Sequence, residues 1–162
     1  LKRLVEEDNY IKCKNSALRI IEKTFKTEKE MRDKLSLKGY DNHIIDKTII
    51  FLKDYNFIND ENYARMFVKD KSSSQGVKKI KYTLLQKGIK NEIIETELSN
   101  LDFNDMKELA LEQAYKKFKI ISKRENDKYK LSQKLYRFLV SKGYDYNLVS
   151  EIVKTVVKSE EL

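Results

Sequence analysis

The chain has 162 residues, and its 34 Lys and Arg outnumber its 26 Asp and Glu, which leaves a formal net charge of +8. One Cys and one His exclude an internal disulfide and a His/Cys zinc site, and they argue against a Ser-His-Asp or Cys-His enzyme. The longest uninterrupted apolar run, 49–52, is too short to cross a bilayer. We therefore expect a cytoplasmic protein with no membrane contact, no metal, no cofactor and no enzymatic activity. The chain begins with Leu1 and not with Met, from which we expect a shortened form of the protein.

The pattern of the chain is helical throughout. It contains no Pro and only four Gly, so it lacks the turn residues that an all-β protein of this size needs. Apolar residues recur three and four positions apart, which predicts an all-α fold. In chain order, first helices are predicted at 16–26, 60–71 and 105–121. A capping box at 27–30 begins the helix after the first of these, and Asn59 and Asp60 cap the second.

Three Lys-Gly pairs mark an internal repeat. When the chain is aligned on Gly39, Gly88 and Gly143, seven positions are apolar in all three copies. These positions lie eight and four residues before the Gly, and one, five, six, ten and thirteen residues after it. Gly ends a helix in the left-handed conformation, and the residue after it then contacts the residue four before it. We therefore predict a structural turn at each Gly, with Asp41 and Asp145 as N-caps of the helices that follow.

The repeat predicts the domain organisation. Three tandem three-helix repeats are expected at 15–58, 59–101 and 102–162, after an N-terminal approach segment at 1–14. A unit of about 45 residues is marginally stable alone, so three stacked copies would share one core as in a solenoid. We expect an elongated, curved array. Inside it, the Ser-rich stretch 72–76 is expected to be flexible.

The positive charge is concentrated in two segments, which an acidic segment separates. Residues 65–90 carry eight cations against one acid, and residues 115–134 carry eight against two, whereas residues 91–112 carry seven acids against one cation. Lysine-rich helices neutralise phosphates with little discrimination between bases, so we expect both basic segments to contact DNA or acidic groups on a protein. The candidate contact residues are Arg65, Lys69, Lys71, Lys78, Lys79, Lys81, Lys87, Lys116, Lys117, Lys119 and Lys123.

Each charged segment has a second interpretation. Tyr82, Tyr115 and Tyr129 lie among the lysines and could stack on bases, but a lysine-rich stretch is also typical of a solvated helix face. Under that alternative, Tyr115 or Tyr82 would belong to the core. The acidic segment could hold a metal or meet a basic partner, although acids near helix starts more commonly complement the helix dipole.

Three segments of the chain resemble the RecX family of recombination regulators. Residues 59–64, Asn-Asp-Glu-Asn-Tyr-Ala, resemble that family's Asp-Asp-x-x-Phe/Tyr-Ala signature. Residues 76–80 together with 84–89 resemble its central motif, and residues 134–144 resemble its C-terminal motif. The resemblance extends over about residues 16–158. The chain departs from the family pattern at three positions. It has Asn59 in place of the first Asp of the signature, Thr83 in place of a frequent acid and Lys90 in place of a common Ser.

The resemblance implies a function that composition does not. RecX-like proteins bind the RecA recombinase, lie in the groove of its filament on DNA, and modulate filament growth, ATP hydrolysis and strand exchange in recombination, DNA repair and the SOS response. The partners implied are the RecA filament and, without sequence preference, single- and double-stranded DNA, with the protein itself a monomer. One alternative is a free-standing basic helical-repeat protein that binds DNA without a recombinase. Another is a helical hydrolase or nuclease.

Overall fold

The computed structural model describes residues 1–159, and this part of the chain forms nine helices and no strand. The helices are α1 (Lys2–Lys23), α2 (Glu28–Leu37), α3 (Asn42–Asp54), α4 (Asp60–Lys71), α5 (Val77–Gln86), α6 (Asn91–Ser99), α7 (Phe103–Ile121), α8 (Lys128–Ser141) and α9 (Tyr146–Ser159). The all-α prediction is confirmed. Residues 160–162, which the predicted third repeat includes, lie outside the described residues.

The first helix is longer than its apolar pattern predicts. α1 begins at Lys2 and not near residue 16, so the predicted approach segment 1–14 is almost entirely helical. Residues 1–9 are all exposed, including the apolar Leu1, Leu4 and Val5, and the polar run at 6–9 leaves too short an apolar pattern to indicate a helix. Cys13 and Ala17, four positions apart, are the buried residues of this helix. Ala17 lies in the predicted first helix 16–26, whereas Cys13 lies in the predicted approach segment.

Polar side chains begin several helices, as the capping patterns predict. Thr27 and Glu30 form the predicted capping box at the start of α2. Asn59 accepts a hydrogen bond from a backbone N–H of α4 at 2.9 Å, as expected of an N-cap. Asp60 has a different role from the predicted one, because its carboxylate accepts the N–H of Glu28 at 3.0 Å and so helps to cap α2.

All three Lys-Gly pairs end a helix in the predicted turn. The φ angles are +88° at Gly39, +82° at Gly88 and +91° at Gly143, all in the left-handed region. The residue after each Gly donates its N–H to the carbonyl of the residue four before the Gly: Tyr40 to Leu35 at 3.3 Å, Ile89 to Leu84 at 3.1 Å and Tyr144 to Leu139 at 3.4 Å. Asp145 then caps α9 through the Asn147 N–H at 2.9 Å, whereas Asp41 occupies the N-cap position of α3 without a side-chain hydrogen bond.

The apolar repeat positions form the interior. Every side chain at the seven aligned positions is buried except Tyr40, Ile93 and Leu101, which are half-buried. The helical period therefore placed these residues on the inner face in each repeat. No helix among residues 1–159 is long and apolar enough to cross a lipid bilayer.

The contacts divide the chain into two compact units. Unit 1 contains residues 1–65 and 84–93, and unit 2 contains 66–83 and, within the described residues, 94–159. The core of unit 1 includes Cys13, Ala17, Met31, Leu35, Ile44, Ile45, Ile49, Leu52 and Ile58. The core of unit 2 includes Ala110, Ala114, Phe118, Leu131, Leu135, Leu139, Tyr144, Leu148, Val149, Ile152, Val153 and Val156. The repeat boundaries at 15–58, 59–101 and 102–162 stay predictions.

Candidate nucleic-acid interface

The predicted contact residues divide by exposure. Seven of them are exposed: Arg65, Lys69, Lys78, Lys79, Lys116, Lys119 and Lys123. Four are half-buried: Lys71, Lys81, Lys87 and Lys117. A half-buried ammonium usually has a partner inside the protein, so the contacts of each lysine decide whether it is available to a phosphate.

Lys87 has its contact partners inside unit 1. Its ammonium lies 2.6 Å from the Glu30 carboxylate and 5.5 Å from the centre of the Tyr63 ring, and its backbone carbonyl accepts the Thr27 hydroxyl at 2.7 Å. Burial alone raises the pKa of Glu30, but hydrogen bonds from the Lys87 ammonium and the Thr27 N–H hold it below its ordinary value. Lys87 thus joins the start of α2 to the turn at Gly88.

The stretch 72–76 is fixed at both ends, contrary to the flexibility expected from its composition. The Gly76 N–H donates to the carbonyl of Lys142 at 2.8 Å, and the Lys78 N–H donates to the carbonyl of Gly143 at 3.1 Å. At the other end, the Ser73 carbonyl accepts the Gln113 amide at 3.1 Å. Gly76 is buried because the turn at Gly143 packs directly on it, so its missing side chain serves packing and not mobility.

The exposed side of α5 combines lysines with aromatic rings. Lys78, Lys79 and Tyr82 lie within about one quarter of the helix circumference, and Tyr82 is 65% exposed. The Lys78 ammonium is 4.1 Å above the centre of the Tyr146 ring and 3.7 Å from the Asp145 carboxylate. We call Lys78, Lys79, Lys81, Tyr82 and Tyr146 the α5 face; all five belong to unit 2.

The members of the α5 face differ in their ion pairs. Lys81 is paired with Glu95, and Lys78 is held by both Asp145 and the ring of Tyr146. Lys79 has no ion pair among the described residues and projects from the helix where its backbone meets the turn at Gly143. The aromatic residues can stack on bases, and the ammonium groups beside them can meet phosphates.

The end of α7 carries a second basic surface in unit 2. Ile120 is 61% exposed there, with Lys116, Lys119 and Lys123 exposed around it. Lys116 is paired with Glu112 at 2.7 Å, whereas Lys119 and Lys123 have no ion pair within residues 1–159. We call Lys116, Lys119, Ile120 and Lys123 the α7 end.

The remaining candidates have local partners. Lys117 lies 5.0 Å from the centre of the Phe138 ring, whose other neighbour is Lys142 at 5.5 Å. Lys71 lies 3.4 Å from the Asp70 carboxylate. Arg65 donates to Asn62 at 3.1 Å on α4, and Lys69 is exposed on the same helix.

The tyrosines do not all suit base stacking. Tyr82 and Tyr129 are exposed at 65% and 71%, whereas Tyr115 packs partly against the core of unit 2, as the alternative interpretation held. Tyr146, 56% exposed, was not predicted. The repeat alignment could have indicated it, because this Tyr stands three residues after its Gly, where the two earlier repeats have Asn42 and Asn91.

The acidic segment 91–112 is partly neutralised by neighbouring side chains. Glu95 pairs with Lys81, and the Asp102 carboxylate caps α7 by accepting the N–H of Asn104 at 2.7 Å. Glu97 is buried. Among the described residues, no three His, Cys, Asp or Glu side chains are grouped as a metal ion requires. Ion pairing accounts for Glu95, and helix capping accounts for Asp102.

The chain is similar to RecX proteins along most of its length. The family models "RecX, first three-helix domain", "RecX, second three-helix domain" and "RecX, third three-helix domain" match residues 13–52, 59–98 and 105–153. Regulatory protein RecX of Clostridium beijerinckii is 57% identical over 157 residues, which are 97% of this chain and 74% of that protein. Regulatory protein RecX of Clostridium perfringens strain 13 is 54% identical over 160 residues, 99% of this chain and 76% of that protein.

Solved structures agree with this assignment. The crystal structure of RecX from Lactobacillus salivarius superposes with a TM-score of 0.79 at 28% identity and covers 93% of this chain and 97% of its own. A second crystal structure, of a regulatory protein RecX, gives a TM-score of 0.84 at 22% identity over 93% of this chain and 76% of its own, and shows the fold alone. Three family domains in the predicted order, at this level of identity, leave one conclusion: the chain belongs to the RecX family of regulatory proteins.

Proposed function

We propose that this protein is a non-enzymatic regulator of RecA. In this proposal it binds the RecA filament on DNA along the filament groove and modulates filament growth, ATP hydrolysis and strand exchange during recombination and DNA repair. The observation that carries the proposal is membership of a family whose members are named regulatory proteins, over nearly the whole chain. We further propose that it acts as a monomer in the cytoplasm.

The α5 face and the α7 end are the surfaces that we assign to the filament. Both are cationic, and each places an exposed apolar or aromatic side chain, Tyr82 or Ile120, among lysines. Lysine is a point charge that attracts phosphate without the two-pronged geometry with which Arg reads guanine. We therefore propose contact with single- and double-stranded DNA that does not depend on sequence.

Among all the predicted contact residues, those without an ion pair are the most available to a new partner. Lys79, Lys119 and Lys123 have no ion pair in the described part of the chain, and each is exposed. They are the first residues that we assign to phosphate or to acids on RecA. Lys87 is the last, because its pair with Glu30 would have to break before it could bind anything else.

The experiment that tests the proposal is ATP hydrolysis by RecA on single-stranded DNA, measured while this protein is added. We expect the rate to change in proportion to the protein added, and electron microscopy of the same mixtures should show an altered filament length. An unchanged rate and unchanged filaments would contradict the proposal.

A second candidate function is DNA binding without a recombinase. The two lysine-rich surfaces favour it on their own, because they require only a polyanion. The same mixtures separate the two functions, since a protein that only occupies DNA would change hydrolysis equally for any enzyme that depends on single-stranded DNA. A helicase assayed in parallel supplies that comparison.

A further inference from the structure

A groove between α8 and α9 has the composition of a protein-docking surface. Its volume is about 610 Å³, and its apolar lining comes from Tyr136, Val153 and Val157. Tyr136 and Val157 are half-buried against the core of unit 2, so they extend that core to the surface. Exposure of apolar surface of this kind to water is unfavourable, so covering it with another apolar surface lowers the free energy.

The rim of the groove has one sign of charge. Arg137, Lys154 and Lys158 line it, all three are exposed, and none of them has an ion pair among the described residues. Within residues 1–159, no Asp or Glu is among the residues that line the groove. An occupant that carries acids on either side of an apolar strip would therefore meet a complementary field.

The same positions in the first repeat have the opposite character. Alignment on Gly39 and Gly143 places Arg32 where Tyr136 stands, and Lys53 where Val157 stands. In unit 1 these side chains form ion pairs with one carboxylate, since Glu28 lies 3.1 Å from Arg32 and 2.5 Å from Lys53.

The face between α2 and α3 is also lined by later parts of unit 1. Residues 58–61, Gly88 and Ile93 border the cavity that Glu28, Arg32 and Lys53 line. The chain itself therefore covers that face, with the polar Asn59, Asp60, Glu61 and Lys90 beside the apolar Ile58 and Ile93. In the third repeat, Tyr136 and Val157 stand at the positions that Arg32 and Lys53 occupy in the first. The α8–α9 face is therefore suited to a different, apolar occupant.

We infer that the α8–α9 groove binds an amphipathic α-helix of a protein partner, with Leu-, Ile- or Phe-type residues on one side and Glu or Asp on its flanks. The apolar side packs on Tyr136, Val153 and Val157, and the acids pair with Arg137, Lys154 and Lys158. Helix-in-groove recognition uses this arrangement of apolar anchors at helical spacing. The inference goes beyond the proposed function, because it does not require RecA to be the protein that supplies the helix.

The test uses the intact protein and a labelled peptide of about 18 residues, with Leu at positions i, i+3, i+4 and i+7 and Glu at its flanks. A twin peptide carries Lys in place of every Glu. Fluorescence anisotropy should show saturable binding of the Glu peptide and at least about tenfold weaker binding of the Lys peptide. Val157→Glu should weaken binding of the Glu peptide about tenfold, because it places a carboxylate on the apolar lining.

A matched pair of variants separates the groove from net charge. Lys154→Glu with Lys158→Glu should weaken binding of the Glu peptide at least about tenfold, and Lys34→Glu with Lys47→Glu, the same change of charge at exposed positions in unit 1, should leave it within about twofold. Equal losses in both pairs, or equal binding of both peptides, would overturn the inference. So would a dimer in sedimentation that Val157→Glu dissociates, because a second copy would then be the occupant. Single-stranded DNA should not displace the Glu peptide from the wild type, and Val157→Glu should leave the affinity for DNA unchanged. Displacement of the peptide by DNA, or a lower DNA affinity of the Val157→Glu variant, would overturn the inference in favour of nucleic acid.

Discussion

The three Lys-Gly turns share one backbone conformation but have different surroundings. A Cβ added at Gly88 would lie 2.5 Å from the Lys29 Cβ, and one added at Gly143 would lie 2.4 Å from the Lys79 Cβ. At Gly39 no described atom lies within 4 Å of that position. The difference shows that Gly serves two requirements, since the left-handed φ is needed at all three turns and close approach of a neighbouring helix is needed at two.

The turns at Gly88 and Gly143 are each held to a neighbouring segment by a hydrogen bond, but the donor differs. At the turn of Gly88, the Thr27 side chain donates its hydroxyl to the carbonyl of Lys87. At the turn of Gly143, the donor is the backbone N–H of Gly76, which reaches the carbonyl of Lys142 at 2.8 Å. Both contacts satisfy the carbonyl of the residue that directly follows a helix, which has no partner inside that helix.

The largest expected effect separates close approach from backbone strain. Gly143→Ala should lower the free energy of unfolding by about 3 kcal/mol, because the new methyl group adds overpacking against the Lys79 backbone to the cost of a left-handed Ala. Gly39→Ala should cost only about 1 kcal/mol, from strain alone. Urea unfolding followed by circular dichroism measures both, and equal losses would mean that the packing at Gly143 contributes nothing.

A smaller effect tests the hydroxyl of Thr27. Thr27→Val should lower the free energy of unfolding by about 2 kcal/mol, because it removes a helix cap and leaves the Lys87 carbonyl without its donor. Asp127→Ala is the matched control, since Asp127 caps α8 at an exposed site, and it should cost about 1 kcal/mol. If the Thr27 variant were no less stable than the Asp127 variant, the hydrogen bond from the Thr27 hydroxyl to the Lys87 carbonyl would contribute nothing beyond helix capping.

The smallest effect concerns acid stability through Glu30. Its pKa is lower in the folded protein than its ordinary value, so its carboxylate stabilises the fold above the unfolded-state pKa, and this contribution is lost as the pH falls through the folded-state pKa. We expect about 1 kcal/mol to be lost between about pH 5 and pH 3, partly offset by Asp60, whose pKa is raised by burial and whose protonation favours the fold.

Replacement of Glu30 isolates that contribution. Glu30→Gln should flatten the dependence of unfolding free energy on pH over this range, whereas Glu22→Gln, at an exposed position of α1, should leave it unchanged. Denaturant titrations at a series of pH values provide the measurement. A Glu30→Gln variant with the pH dependence of the wild type would show that the pair with Lys87 does not affect stability.

Local signals predicted much of the fold. Gly39, Gly88 and Gly143 fixed the helix ends because the left-handed turn depends on one residue type and its immediate neighbours. The burial of the aligned apolar positions followed from helical period alone. Residues 1–9 escaped prediction because Leu1, Leu4 and Val5 are followed by a polar run at 6–9, and so short an apolar pattern does not indicate a helix.

The candidate site was predicted less completely, because its geometry depends on contacts between distant residues. Lys87 pairs with Glu30 across 57 positions of the chain, and composition could not distinguish it from an exposed lysine. Gly76 was assigned to a flexible stretch, since its packing on the turn at Gly143 has no local signature. Tyr146 joins Lys78 only in the folded protein, although its place in the repeat marked it as different from Asn42.

The most direct test of the central claim, that the α5 face contacts phosphates, is the salt dependence of single-stranded DNA binding. Lys78→Gln with Lys79→Gln should weaken binding and reduce the slope of log affinity against log salt by about 1.4, since each lost phosphate contact on a single strand removes about 0.7. Lys34→Gln with Lys47→Gln, an equal change of charge at exposed positions in unit 1, should leave the slope unchanged. Equal slopes for the wild type and the Lys78/Lys79 variant would contradict the account.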